Sequence, residues 1–113
     1  MQFNQVINGI AKYLNKQIFP NMNSWQETLA RVFVSRFMNN QAKVKQMLEE
    51  NPFIRTFAIF DENGEVDVEG IMADVKTAIR EKGCIEFELP LFGYFKFTEN
   101  DVDVLHNYIK GGN

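Results

Sequence analysis

Apolar residues recur at spacings of three and four from the start of the chain: Phe3, Val6, Ile7, Ile10, Tyr13, Leu14 and Ile18. Gln5, Asn8, Lys12, Asn15 and Lys16 fall between them, so the segment predicts one helix with a single buried stripe. Pro20, in FPNMNS, interrupts it. Ser24, with Glu27 three residues on, matches a capping box and predicts a second helix from Trp25. Its expected buried face is Trp25, Leu29, Val32, Phe33 and Phe37, which puts Trp25 in the core and turns Arg31 and Ser35 to solvent. MNNQ is a weak break before a third helix through Val44, Met47 and Leu48. Asn51-Pro52 then predicts a short helix over PFIRTFAIF, with Phe53 and Phe57 one turn apart. Its aromatic and isoleucine content favours a strand in competition.

Beyond residue 60 the pattern is better punctuated. Asp67 can cap a helix whose stripe is Ile71, Val75, Ala78 and Ile79, ending at Gly83 just after Arg80 and Lys82. The period then drops to two. Ile85, Phe87 and Leu89 alternate with Glu86 and Glu88, and Phe95 and Phe97 alternate with Tyr94 and Lys96. A turn at Pro90–Gly93 joins the two runs as a hairpin, with Lys96 opposite a glutamate. Thr98, with Asp101 three residues on, caps a last helix striped by Val102, Leu105 and Ile109. These elements predict an α+β chain that is mostly α. It has five or six short helices and one antiparallel hairpin, about residues 84–97, before the C-terminal helix, in a single globular domain over residues 1–113.

Composition supports a folded chain. Of the 113 residues, 45% are apolar and 24% charged, outside the range of disordered segments. Eleven phenylalanines are an excess that predicts a large aromatic core, with some rings free to meet a partner. A net charge of −3 supplies no overall basic field for nucleic acid or an anionic membrane. The single cysteine, Cys84, fits a reducing compartment and opens an apolar run, where a buried, inert thiol is expected. MQFNQVINGI does not have the form of a secretory leader, and no apolar run is long enough to span a membrane, so a cytoplasmic protein is expected.

Candidate chemistry changes this picture little. FDENGEVDVEG places Asp61, Asn63 and Glu65 at the first, third and fifth positions of a calcium loop. Position six is then Val66 instead of glycine and position twelve Met72 instead of glutamate, so a turn is expected, with a degenerate EF-hand-like ion site as the alternative. His106 has no second histidine or cysteine nearby to share a metal, and the glycines form no phosphate cradle. The carboxylates Asp61, Glu62, Glu65, Asp67, Glu69 and Asp74 predict a solvated acidic face. Arg31, Arg36, Lys43 and Lys45, with Arg55 beyond, would serve a small nucleic-acid-binding regulator if they formed one basic face. They are also what the solvent side of amphipathic helices carries.

Three segments, NSWQETLARV, NPFIRTFAIFDENGEVDVEG and PLFGYFKFTENDVDVLHNYI, resemble short uncharacterised proteins of phages and prophages of low-GC Gram-positive bacteria. The resemblance implies a late-gene or accessory product and assigns no functional residues. Together with the absence of a catalytic or metal-binding constellation, it predicts a non-catalytic protein–protein interaction module, a phage structural or assembly component acting as a homo-oligomer or adaptor in the host cytoplasm or the virion. No cofactor and no small-molecule substrate are expected. The expected contact residues are Leu91, Phe92 and Tyr94 at the hairpin turn, where large apolar groups meet solvent unless something packs on them.

Overall fold

The computed structural model describes residues 1–52 and 59–111. The described residues form five α-helices and one antiparallel two-stranded hairpin, so the chain is mostly α with a small β part. In chain order these are α1 (Phe3–Tyr13), α2 (Ser24–Asn39), α3 (Gln41–Glu50), α4 (Val68–Lys82), β1 (Ile85–Leu89), β2 (Gly93–Phe97) and α5 (Glu99–Ile109). The helix expected from Pro52 to Phe60 falls mostly outside the described residues.

The predicted stripe of α1 is the buried one: Phe3, Val6, Ile7 and Tyr13 all face inward. The regular helix stops earlier than its apolar period. Leu14–Ile18 widens into a π turn and Phe19–Asn21 tightens into a 3-10 turn. Pro20 has no N–H to continue the ladder, and Asn21 Nδ2 donates to the Gln17 carbonyl at 3.0 Å, satisfying an acceptor near the helix end.

Gly9 lies on the inward face and lets α5 come close. A Cβ there would strike the backbone of Ile109, 2.8 Å from its nitrogen and 2.9 Å from the Tyr108 oxygen. The α5 stripe meets this face with Val102 and Ile109 almost wholly buried, and Tyr108 sets its ring edge-on to Tyr13 at 6.0 Å. Val66 and Val68 complete the same apolar cluster.

Helices α4 and α5 run antiparallel, joined by Glu69–His106, Lys76–Asp103 and Arg80–Glu99 pairs in reversed order. Both expected caps are made. Asp67 Oδ1 accepts from the Gly70 amide at 3.1 Å, and Asp101 Oδ2 accepts from Thr98 N–H at 2.8 Å and Thr98 Oγ1–H at 2.9 Å. Gly83 ends α4 at φ 86, a conformation that glycine takes without a Cβ penalty. The hairpin has the expected register, with Glu86 opposite Lys96 and Phe87 opposite Phe95.

Two expectations about α2 need correction. Its N-cap is Asn23 rather than Ser24, and Gln26 Oε1 accepts from the Asn23 amide at 3.3 Å in the reciprocal arm of the box. Glu27, the expected partner, instead pairs with Arg31 at 2.7 Å. Trp25 is not in the core: it is 56% exposed, and Val32, Phe33 and Phe37 are also exposed. The inward line is Gln26, Ala30, Val34 and Met38, and of these Ala30 alone is fully buried. The helix is apolar around more than half its circumference, and the line centred on Ala30 is the one that packs most closely. In α3, Val44 and Leu48 pack on the core while Met47 points out.

Candidate functional site

The chain reversal at FDENGEV is held by the Asp61 carboxylate and by backbone hydrogen bonds from Asp61 to Glu65 and from Gly64 to Asp61. Asp61 Oδ1 accepts from the amides of Asn63 at 2.8 Å and Glu65 at 3.0 Å, Gly64 takes φ 76, and Phe60 bridges Val66. Glu65 turns its carboxylate toward the Met1 amine at 3.4 Å, and Asp67 is occupied by its cap. Asp61, Glu65 and Asp67 thus each have a partner within the turn or beside it. No group of three or more histidine, cysteine or acidic side chains stands together among the described residues.

The structure adds one partner that sequence spacing could not supply. His106 Nε2 lies 3.0 Å from Glu69 Oε1, a contact between residues on α5 and α4. Glu69 is largely in solvent, and Cys84 is away on the hairpin, its Sγ 3.6 Å from Glu86. The first pairing joins an imidazole to a carboxylate and the second a thiol to a carboxylate, at separate places on the molecule. The basic positions are dispersed in role. Arg31 bonds Glu27 and, at 2.7 Å, Asn15 Oδ1, and stacks its guanidinium over Phe19 at 5.6 Å. Lys45 pairs with Glu49 one turn on.

The most distinctive surface lies where the hairpin tip meets α2. Phe92 N–H donates to the Leu89 carbonyl at 3.1 Å, closing a turn with Pro90 second and Leu91 third. Leu91 has φ 75, the left-handed region that glycine or asparagine normally fills in a turn of this pattern. Its carbonyl accepts from Gln26 Nε2 at 2.7 Å, and the Phe92 ring packs edge-on against Phe33 at 6.3 Å. The tip is thus clamped to α2 while the Leu91 side chain stays outside, 65% exposed.

Of the three expected contact residues, Leu91 is outward, Phe92 is half-buried against α2, and Tyr94 stands on the other face of the hairpin. There Tyr94 lies beside Glu86, whose hydrogen bond to the phenol pushes it up to about 12, while the same contact lowers the Glu86 carboxyl. Trp25 belongs to the exposed apolar surface instead, next in sequence to the Gln26 clamp. A signal for it was present: its neighbours Ala30 and Val34 offered a second apolar line on the same helix.

Beneath the clamp is an apolar cavity of about 430 Å³. Ile10, Leu14, Phe19, Phe33, Phe87 and Phe95 are among its walls, so α1, α2 and the inner hairpin face all contribute. A second space of about 320 Å³ shares Ile10, Leu14, Phe33 and Val34 with it and runs between α1 and α2. The helix α2 therefore stands off the body of the protein. Sequence periodicity identified most of these side chains as inward but could not show that they leave space between them. No helix among the described residues is long and apolar enough to cross a membrane.

Comparison with protein-family models, curated proteins and solved structures finds no match to this chain.

Proposed function

We propose that the chain is a non-catalytic protein–protein interaction module that binds through α2 and the hairpin tip, with a second copy of itself as partner. One observation carries this reading. A sixteen-residue helix buries Ala30 alone and leaves Trp25, Val32, Phe33 and Phe37 exposed, with Leu91 held outward beside it. Scattered exposed apolar residues are ordinary, but Trp25, Val32 and Leu91 in solvent, with Phe33 and Phe37 exposed along the gap beside α1, form the kind of apolar surface that partners cover. Tryptophan and phenylalanine are also among the residues enriched at such contacts. The resemblance of three segments to short phage and prophage proteins supports a setting in phage structure or assembly, where repeated copies make homotypic contacts useful.

Light scattering over a range of concentrations tests this. The mass should rise above the 13.1 kDa of one chain as concentration increases. A variant carrying Trp25→Ser and Leu91→Ser should remain at one chain, with the melting temperature of the dissociated subunit within a few degrees of the parent. A parent that stays monomeric throughout overturns self-association. A variant that unfolds outright would return Trp25 and Leu91 to the intrachain core.

A further inference from the structure

The cavity under α2 carries chemistry that the exposed patch does not use. Seven of its lining residues are aromatic, among them Tyr13, Phe19, Phe87, Phe95 and Phe97. Two of its lining residues are charged, Lys96 and Asp101. Lys96 lies opposite Glu86 in the hairpin, on the strand face away from Phe87 and Phe95, so alternation directs its ammonium outward. Asp101 is different. Its Oδ2 holds the Thr98 cap, and it forms no ion pair among the described residues. Its charge also reaches the cavity wall: burial, and then the Asp101 carboxylate, push the Tyr13 phenol up from its ordinary value. Phe19, one of the wall residues, already receives a cation, since the Arg31 guanidinium stacks over its ring with its charge met by Glu27.

We propose that this cavity binds a small hydrophobic cation, with its ammonium or guanidinium group toward Asp101 and its apolar body against the aromatic wall. Aromatic faces attract cations through their quadrupole, and a carboxylate in the lining of a mostly apolar space favours a positive group over a neutral or negative one. The volume suits the role, within the range of small-molecule pockets. The cavity shares Phe33 with the proposed self-contact surface, but its preference for a cation is set by Asp101 and does not depend on self-association.

The test uses three probes of equal chain length, decyltrimethylammonium, decanoate and decanol, each below its micelle concentration or solubility limit. Binding is followed by titration calorimetry and amide NMR. The ammonium should saturate one site, shift the resonances of Tyr13, Phe95 and Asp101, and bind about tenfold more tightly than decanoate or decanol. Asp101→Asn keeps an oxygen for the Thr98 cap and should cut the ammonium affinity about tenfold while leaving decanol unchanged. Equal binding of all three probes overturns the proposal, because the cavity is then only an apolar sink. Preference for decanoate overturns it in favour of Lys96, and no saturable binding removes the site. Retained cation preference in Asp101→Asn overturns the role of Asp101. If that variant does not fold, the three-probe comparison on the unaltered chain still decides.

Discussion

Gly9 shows how one position can reverse an ordinary helix rule. In an exposed helix interior, alanine stabilises over glycine by roughly 1 kcal/mol. Here the added methyl would meet the Ile109 and Tyr108 backbone, which cannot yield as a flexible side chain could. Gly9→Ala should therefore destabilise by about 1–3 kcal/mol, the usual cost of overpacking. Thermal unfolding checks the sign: an equal or higher melting temperature would mean that α1 and α5 do not approach this closely. Tyr94 offers a second test at this scale. Its folded value of about 12 lies above the ordinary tyrosine value of 10.0, so the protonated phenol is favoured by folding. The associated stability is present below pH 10 and is lost as pH rises through 12. Phenolate absorbance should show Tyr94 ionising late, and Glu86→Gln should bring it back toward the ordinary tyrosine range. A titration unaffected by Glu86→Gln would remove the carboxylate as the cause.

At the scale of elements, the hairpin tip combines a strained residue with a clamp. Leu91 holds a left-handed backbone where an L side chain costs about 1–2 kcal/mol. A Cβ-free residue would relieve that strain without touching the Gln26 bond, which uses the Leu91 carbonyl. Leu91→Gly should therefore raise the stability of the dissociated subunit by about 1 kcal/mol while weakening self-association. Opposite movements of melting temperature and of solution mass are the expected signature. A fall in both would mean that the Leu91 side chain supports the fold. The neighbouring elements show how local signals differ in strength. Thr98 with Asp101 and Asp67 with Gly70 form the expected caps because their partners lie three residues away in sequence. At α2 the expected pair was Ser24 with Glu27, and the structure caps one residue earlier, with Asn23 and Gln26.

For the whole molecule, burial is concentrated on one side. Phe3, Val6 and Ile7 of α1 and Val102, Tyr108 and Ile109 of α5 are buried, whereas α3 and both strands bury no residue fully. The radius of gyration is 14.6 Å, against about 13 Å for a compact chain of this length. Amide exchange in the monomer should follow the same division, slowest in α1 and α5 and much faster in α2 and the hairpin. Equal protection of α2 in dilute, monomeric protein would contradict its standing off the body.

The sequence by itself determined the elements whose causes are local. These include the apolar stripe of α1, the capped starts of α4 and α5, the glycine end of α4, and the hairpin with Glu86 facing Lys96. It also showed why FDENGEV reverses the chain, since Asp61 and Gly64 need nothing beyond that segment. Tertiary structure decided what depends on distant surfaces. Trp25, Leu29, Val32, Phe33 and Phe37 formed a sound helical stripe, yet the Ala30–Val34 line turned inward because periodicity marks apolar faces without choosing between two of them. The meeting of His106 with Glu69, the hold of Gln26 on Leu91, and Asp101 beside an aromatic cavity all join residues far apart in the chain. The candidate site was legible as side chains but not as a place, because an empty volume belongs to the packing of several elements and to no segment alone.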